Sequence, residues 1–311
     1  MPLDDATTAF LGQMLEAGMK PIHESTPEEV RALGPMLLEM YGEGPSMARV
    51  EDVSVPSDEG DIPVRLLVPD GQPKGVLVYF HGGGWVIGAL DEFETLGRRL
   101  AARSGCAVAL VDYRLAPEHR YPAAVEDAYT ALEWAAANVE DIAGADVPLI
   151  VAGDSAGGNL AAVVAIWARD RNGPKIAFQA LVYPVTDADV DNGSYTDPEN
   201  QLFLSRDGMI WFWDHYAPDV ARRNETAASP LREMNLTGLP PAVVLTAKYD
   251  PLSDEGAAYA KRLGEAGVPV DYHHHDDQMH GFFTLLMLPG SEKGLEQVAS
   301  ALDAHLAVEP V

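Results

Sequence analysis

Cysteine and long apolar runs are both scarce in this sequence. Cys106 is the one cysteine among 311 residues, so no disulfide can form within the chain. No apolar run approaches the roughly 18–20 residues that a membrane-spanning helix requires. The first residues, Met-Pro-Leu-Asp-Asp, are acidic, whereas a secretory signal peptide opens with basic residues and continues with an apolar stretch. We therefore expect a cytoplasmic protein without a disulfide framework or a membrane anchor.

Basic residues are also few. The sequence has 21 lysines and arginines against 48 aspartates and glutamates, which gives a formal net charge of −27. A surface of this sign repels the phosphates of nucleic acids and the headgroups of anionic membranes, so we expect neither as a partner. Salt would screen the self-repulsion of such a surface. Adaptation to a salty environment and ordinary acidity both remain open as explanations.

The composition is that of a folded protein, with 47% hydrophobic and 22% charged residues. Apolar runs predict strands at 62–68, 75–80, 107–111, 147–152, 177–183, 241–247 and 268–274. Helical patterns predict helices at 91–104, 122–138, 156–171, 252–266 and 291–307. Strands that alternate with helices predict an α/β fold, with a mainly parallel sheet covered on both faces.

Two segments fall outside this alternation. Residues 1–45 are predicted to be helical, and Thr26-Pro27-Glu28-Glu29 has the spacing of a capping box. Residues 184–240 form a long insertion, in which Ser205 is suited to cap an aromatic-rich helix. We expect both segments to contribute to a cap over the sheet.

A serine between glycines follows one of the predicted strands. Gly153-Asp154-Ser155-Ala156-Gly157 joins the strand 147–152 to the helix 156–171, which is the context of a nucleophile elbow. So tight a turn has no room for side chains two residues before or after Ser155, and glycine supplies none. Ser155 is then strained, exposed and available as a nucleophile. The alternative is a glycine-rich helix start that Ser155 only caps.

Three consecutive glycines follow another predicted strand, in His81-Gly82-Gly83-Gly84-Trp85. Their unshielded N–H groups can turn toward one point, as acyl transfer requires where negative charge develops on a carbonyl oxygen. The N–H of Ala156, at the start of the helix, can provide a further donor. A phosphate-binding loop is disfavoured because no Gly-Lys-Ser/Thr sequence follows.

A serine nucleophile needs a base, and the base needs an acid that orients it. Asp250 follows the strand 241–247 and so lies at its carboxyl end, where open α/β sheets bind ligands. The same position also suits a helix N-cap with Pro251 at the first helical position. Asp254 and Glu255 remain alternative acids.

Six of the nine histidines come after Ser155 in the chain. His280 lies just past the last predicted strand, in a loop closed by Gly281, which suits a base that reaches back over the serine. His273, His274 and His275 are consecutive, and neighbouring side chains of a strand point to opposite faces. These three cannot all converge on one ion, so we predict no metal site.

Together these motifs resemble the hormone-sensitive-lipase family of α/β-hydrolases, also called bacterial family IV esterases. The resemblance covers nearly the whole chain. The motifs that carry it are His81-Gly-Gly-Gly-Trp85, Asp112-Tyr-Arg-Leu-Ala-Pro-Glu-His119, Gly153-Asp-Ser-Ala-Gly-Gly158, Asp250-Pro-Leu-Ser-Asp-Glu-Gly256 and His280-Gly-Phe282. Gly-Asp-Ser-Ala-Gly resembles the larger of the two esterase subgroups.

The resemblance implies an α/β-hydrolase fold with an eight-stranded, mostly parallel sheet, a helical cap and no cofactor. Core residues are then 46–183 and 229–311, and cap residues are 1–45 and 184–228. The implied catalytic triad is Ser155, Asp250 and His280. The implied oxyanion hole consists of Gly83, Gly84 and Ala156. Glu118 and Asp154 match family positions and are expected to support the structure.

We predict a carboxylesterase that hydrolyses short- to medium-chain acyl esters through an acyl-enzyme intermediate. Trp85, Met209 and Trp213 are predicted to line its substrate pocket; the alternative for these side chains is packing between cap and core. A serine amidase, a lipase and a non-catalytic ligand-binding protein on the same fold are the alternative functions. Plant receptors that resemble the family lack the histidine present here as His280. We expect a small-molecule ester as the partner, and a monomer or homodimer.

Overall fold

A computed structural model describes residues 2–306, apart from the side chains at positions 36, 37 and 39. Residue 1 and residues 307–311 lie outside the described residues. The predicted segments 1–45, 291–307 and 229–311 extend into them. Eight strands form one sheet: β1 Arg49–Val55, β2 Ile62–Val68, β3 Val76–Phe80, β4 Ala107–Val111, β5 Leu149–Asp154, β6 Ile176–Val182, β7 Ala242–Tyr249 and β8 Val270–Met279. Their order is β1-β2-β4-β3-β5-β6-β7-β8.

The sheet is parallel except around β2, which pairs antiparallel with both β1 and β4. The central strands are buried over their whole length, as their unbroken apolar sequences require. Seven of the eight strands match those predicted, within a few residues. Strand β1 is not among the predicted strands, because this edge strand is largely exposed and only its last residue, Val55, is buried.

Helices connect and flank the strands. They are α1 Asp5–Glu16, α2 Pro27–Arg31, α3 Gly34–Tyr41, α4 Leu90–Ser104, α5 Ala123–Ala137, α6 Val139–Ala143, α7 Ala156–Asp170, α8 Gly193–Thr196, α9 Arg206–Tyr216, α10 Ser253–Glu265 and α11 Pro289–Leu306. Within residues 2–306, none of them combines the length and apolarity that crossing a bilayer requires.

The core has two layers, one on each face of the sheet. Successive residues of β3 contribute to different layers. Val78 packs in the cluster that includes α5, α7 and α10, whereas Leu77 packs in the cluster of α4 and α11. Side chains of a strand point alternately to the two faces, so unbroken apolar strands supply both layers. The predicted double-sided sheet is confirmed.

The two segments outside the α/β alternation have local structure that their sequences predict. Thr26 and Glu29 form a capping box at the start of α2. Ser205 caps α9 by accepting a hydrogen bond from the N–H of Gly208, at 3.1 Å. Around α9, residues 183–241 consist of loops, the short helix α8 and turns of 3-10 helix. Both segments supply residues to the cavity described below.

Candidate active site

Ser155 occupies the turn between β5 and α7. Its backbone has φ 54° and ψ −117°, a region that non-glycine residues rarely adopt. Its N–H donates to the carbonyl of Val182, and its carbonyl accepts from the N–H groups of Asn159 and Val185, at 2.9–3.1 Å. These backbone hydrogen bonds hold the strained turn in place.

Gly153 and Gly157 make this turn possible. A Cβ on Gly157 would overlap the carbonyl oxygen of Phe80, and a Cβ on Gly153 would overlap the backbone of Gly157. The strained strand–helix elbow predicted for this sequence is therefore present. Ser155 is not exposed on the outer surface, however: only 5% of the residue is accessible, and it faces an internal cavity. The prediction of an exposed serine is wrong because other segments cover the elbow.

The glycine-rich loop after β3 borders the same cavity. Gly83, Gly84 and Trp85 have φ values of 102°, 58° and 60°, so three successive residues adopt left-handed backbone. Within residues 2–306, the N–H groups of Gly83 and Gly84 donate to no protein acceptor. The N–H of Ala156 is the first of helix α7, where no intrahelical partner exists. These are the free donors that an oxyanion hole requires.

Buried polar groups hold the base of this loop. Asp154 Oδ1 accepts hydrogen bonds from the hydroxyl of Tyr79, at 2.7 Å, and from the N–H of Gly82, at 2.9 Å. His81 Nδ1 donates to the carbonyl of Gly82 at 2.7 Å, and its ring stacks on Tyr113. Burial lowers the pKa of His81 to about 4, so this histidine is neutral at pH 7.

Asp154 is a fully buried carboxyl directly before the serine. Burial raises its pKa to about 6, against the opposing effect of the hydrogen bonds from Tyr79 and Gly82 and of the nearby His280. Its contacts to the glycine-rich loop fit the supporting role expected from the sequence. Glu118 makes a bidentate ion pair with Arg31, at 2.8 Å, and Arg31 also donates to the carbonyls of Val86 and Ala116.

Asp250 and His280 meet at the carboxyl ends of β7 and β8. Asp250 Oδ2 lies 2.8 Å from Nδ1 of His280, and its other oxygen accepts the N–H of Leu252, also at 2.8 Å. Asp250 is completely buried, and 8% of His280 is accessible. The ring of Tyr183 packs against His280 at a centroid distance of 4.5 Å. The imidazole is therefore fixed on two sides.

The alternative roles for these residues are not observed. Helix α10 begins at Ser253 and its N-cap position is Leu252, so Asp250 does not cap it. Asp254 accepts the N–H of Ser194, and Glu255 accepts the N–H groups of Thr186 and Asp187. Neither alternative acid contacts His280.

The three consecutive histidines of β8, His273, His274 and His275, do not converge on one point. His273 pairs with Asp271, and His274 Nδ1 lies 2.9 Å from the hydroxyl of Thr246. His275 is buried against Phe282, on the face of the strand opposite to that of His274. In the described part of the chain, no group of three or more His, Cys, Asp and Glu side chains is placed to hold a metal ion.

Ser155, His280, Gly83 and Gly84 all line one cavity of about 170 Å³. The N-terminal segment contributes Ile22, Gly34 and Tyr41, the insertion contributes Phe203, Leu204, Met209 and Phe212, and the loop after β8 contributes Leu285. Most of these side chains are apolar. Glu92, from the first turn of α4, is an acidic exception.

Only one of the three predicted pocket side chains lines this cavity. Met209 does, whereas Trp85 and Trp213 do not, and both are completely buried. Their rings pack against each other at 4.8 Å, and Trp85 stacks on Tyr216 at 4.2 Å. The prediction for the two tryptophans is wrong: they pack between the insertion and the glycine-rich loop. Phe212, three residues after Met209 on the same helix face, lines the cavity instead.

Comparison with known proteins agrees with this architecture. A family model described as the alpha/beta hydrolase fold matches residues 77–284. The carboxylesterase NlhH of Mycobacterium tuberculosis is 40% identical over 82% of this chain and 84% of its own length. The ethyl acetate hydrolase of Pseudomonas putida is 33% identical over 98% of this chain and 100% of its own.

A solved structure extends the comparison to three dimensions. An ester hydrolase from the metagenome of Lake Arreo, complexed with a bipyridine phosphonate derivative, superposes with a TM-score of 0.93. It is 38% identical in sequence, and the match covers 98% of this chain and 100% of that one. The chain therefore belongs to the hormone-sensitive-lipase family of α/β-hydrolases, as its motifs predict.

Proposed function

We propose that this protein is a serine carboxylesterase in which Ser155 is the nucleophile, His280 the base and Asp250 the acid that orients the base. One observation carries the proposal: a serine at a strained strand–helix turn shares a cavity with a histidine that lies 2.8 Å from a buried aspartate. The carboxylesterases and esterases among its relatives support the same activity.

The contact between His280 and Asp250 defines how the base works. A carboxylate only accepts hydrogen bonds, so Nδ1 carries the proton that it donates to Asp250. Nε2 of the neutral ring is then free to take the proton of the Ser155 hydroxyl as the serine oxygen attacks the ester carbonyl. Asp250 stabilises the imidazolium that results, without taking up the proton itself.

Acylation and deacylation use the same groups in turn. The negative charge that develops on the carbonyl oxygen is stabilised by the N–H groups of Gly83, Gly84 and Ala156. Collapse of the intermediate breaks the ester bond, and His280 returns its proton to the leaving alcohol. A water molecule then gives a proton to His280 and attacks the acyl-serine. Collapse of this second intermediate breaks the bond to the serine oxygen and releases the acid, and His280 returns its proton to Ser155.

The size of the cavity supports a preference for short to medium acyl chains. Its volume of about 170 Å³ is near that of the roughly 150 Å³ protein cavities that hold one benzene molecule. The apolar side chains Met209, Phe212 and Leu285 suit an acyl or alkyl group of that size.

The division into core and cap is part of this proposal. Within the described residues 2–306, residues 2–45 and 184–228 form the cap, and residues 46–183 and 229–306 form the core. Cavity residues from both outer segments, such as Tyr41 and Phe212, support it. We further propose a cytoplasmic enzyme that acts on small esters as a monomer or homodimer, without nucleic-acid partners. The net charge of −27 supports the absence of nucleic-acid partners, because such a surface repels phosphates.

The test is hydrolysis of p-nitrophenyl esters from acetate to laurate. The proposal predicts highest kcat/KM at short to medium chains, and a loss of at least about 10³-fold in Ser155→Ala with unchanged thermal unfolding. In Asp250→Asn the loss should approach about 10⁴-fold, because the wrong tautomer of the base is favoured. Ser300→Ala, at an exposed position on α11, is the matched control and should keep its activity. Near-normal turnover by Ser155→Ala would falsify the assignment.

A further inference from the structure

Glu92 places a carboxyl group in a cavity whose other lining residues are mostly apolar side chains and glycines. It is the third residue of α4, and its side chain is partly buried. Its carboxyl packs directly on the backbone of Gly34, where a Cβ would overlap Oε1. The absence of a side chain at Gly34 is what leaves room for the acidic group at this wall.

Among the described residues, the Glu92 carboxyl has no hydrogen-bond or ion-pair partner. Across residues 2–306, no hydrogen-bond donor or basic side chain contacts the Glu92 carboxyl. Glu94, two residues further along the same helix, is different: it pairs with both Arg65 and Arg98. Basic residues are thus available around α4, yet none is directed at Glu92.

The surroundings of Glu92 make an added positive charge favourable. Burial raises the pKa of its carboxyl, and the negative charges of Asp91 and Asp112 act in the same direction. The fully buried Asp154 lines the same cavity. A partly desolvated carboxylate without a cation is costly, and a cation that enters the cavity offsets that cost.

We propose that Glu92 is a specificity-determining residue that selects esters carrying an ammonium group, and disfavours esters carrying a carboxylate. This inference rests on the proposed esterase function and names its substrate class. An ammonium donates hydrogen bonds to the carboxylate of Glu92, while the apolar side chains hold the connecting methylene chain. The ester bond itself is cleaved by the same two steps as for any other substrate.

Isosteric ester pairs test the proposal at pH 8, which lies well above the ordinary pKa of a glutamate and below that of an alkylammonium. Ethyl 6-aminohexanoate is compared with ethyl heptanoate for an acyl-side ammonium. For an alcohol-side ammonium, 6-aminohexyl acetate is compared with heptyl acetate. Monoethyl adipate is the anionic probe. Hydrolysis is followed by titration of the released acid, and the readout is the ratio of kcat/KM within each pair.

Glu92→Gln keeps the shape of the side chain and removes its charge. In at least one ammonium pair, we expect the ratio of charged to neutral substrate to fall by about tenfold or more in this variant, the usual effect of losing a hydrogen bond to a charged group. Relative activity on monoethyl adipate should rise. Glu126→Gln removes the same charge from an exposed position on α5 and should leave every ratio within about twofold.

The neutral esters separate failure of this inference from failure of the esterase proposal. If the wild type hydrolyses ethyl heptanoate and heptyl acetate but Glu92→Gln changes neither ammonium ratio, the specificity role is refuted and the esterase stands. If Ser155→Ala hydrolyses the neutral esters as fast as the wild type, the proposed catalytic mechanism itself fails. Thermal unfolding of Glu92→Gln at the wild-type midpoint shows that the variant is folded.

Discussion

Replacing Asp154 by asparagine should remove a pH-dependent loss of stability. Asp154 is fully buried, and its pKa is raised from its ordinary 3.8 to about 6, chiefly because burial disfavours the charged carboxylate. A carboxyl with a higher pKa in the folded state binds its proton more tightly there. The stability that the folded state gains from this tighter proton binding is therefore fully present below about pH 4, and is lost as the pH rises through about 6.

The magnitude follows from the two pKa values. Their difference of about 2 corresponds to about 3 kcal/mol of unfolding free energy, at roughly 1.4 kcal/mol for each pKa unit. Asparagine cannot ionise, yet its side-chain oxygen can still accept the hydrogen bonds that Tyr79 and Gly82 give to Oδ1. The variant should keep the local structure and lose only the titration.

Urea unfolding at a series of pH values from 4 to 8 measures this effect. The stability of Asp154→Asn relative to the wild type should rise by about 2.5 kcal/mol across that range, since a small part of the effect lies below pH 4. Comparison of the two proteins cancels the titration of all other groups. Asp70→Asn, at an exposed position, is the control and should follow the wild type within about 0.5 kcal/mol. Parallel curves for Asp154→Asn and the wild type would refute the reasoning.

Four further substitutions have clear expected outcomes. Arg31→Met removes the hydrogen bonds that hold the carbonyls of Val86 and Ala116, so kcat should fall by about tenfold or more because the oxyanion donors are misplaced. Unchanged kcat with normal folding contradicts this. Trp213→Ala should lower the free energy of unfolding in urea by about 3–5 kcal/mol without altering the acyl-length profile. Phe212→Ala should alter that profile, because Phe212 lines the cavity. The reverse pattern would mean that Trp213, and not Phe212, lines the substrate pocket. Gly157→Ala should abolish ester hydrolysis, because its Cβ overlaps a carbonyl of β3, and an active, stable variant would contradict the geometry of the elbow.

The parts of the site that the sequence predicts are those set by local sterics. Gly153 and Gly157 frame Ser155 because the turn admits no Cβ at either position, and that requirement is readable from spacing alone. The unbroken apolar strands likewise predict a sheet buried on both faces. Asp250 and His280 are predictable because the carboxyl ends of parallel strands converge at one edge of the sheet.

The parts that the sequence does not predict depend on how distant segments pack. Met209, Phe212, Trp213 and Tyr216 form one apolar stripe on α9, and the sequence does not indicate which edge of that stripe faces the cavity. The low exposure of Ser155 likewise depends on segments far from it in the chain. An edge strand such as β1, with few buried residues, gives little periodic signal.

Covalent labelling of the nucleophile is the most direct test of the central claim. The wild-type protein is treated with a p-nitrophenyl alkylphosphonate, and intact-mass and peptide mass spectrometry locate the adduct. The account predicts one adduct per chain, on Ser155, with loss of ester hydrolysis in proportion to labelling and no labelling of Ser155→Ala. An adduct on another residue, or full activity after Ser155 is labelled, would contradict it.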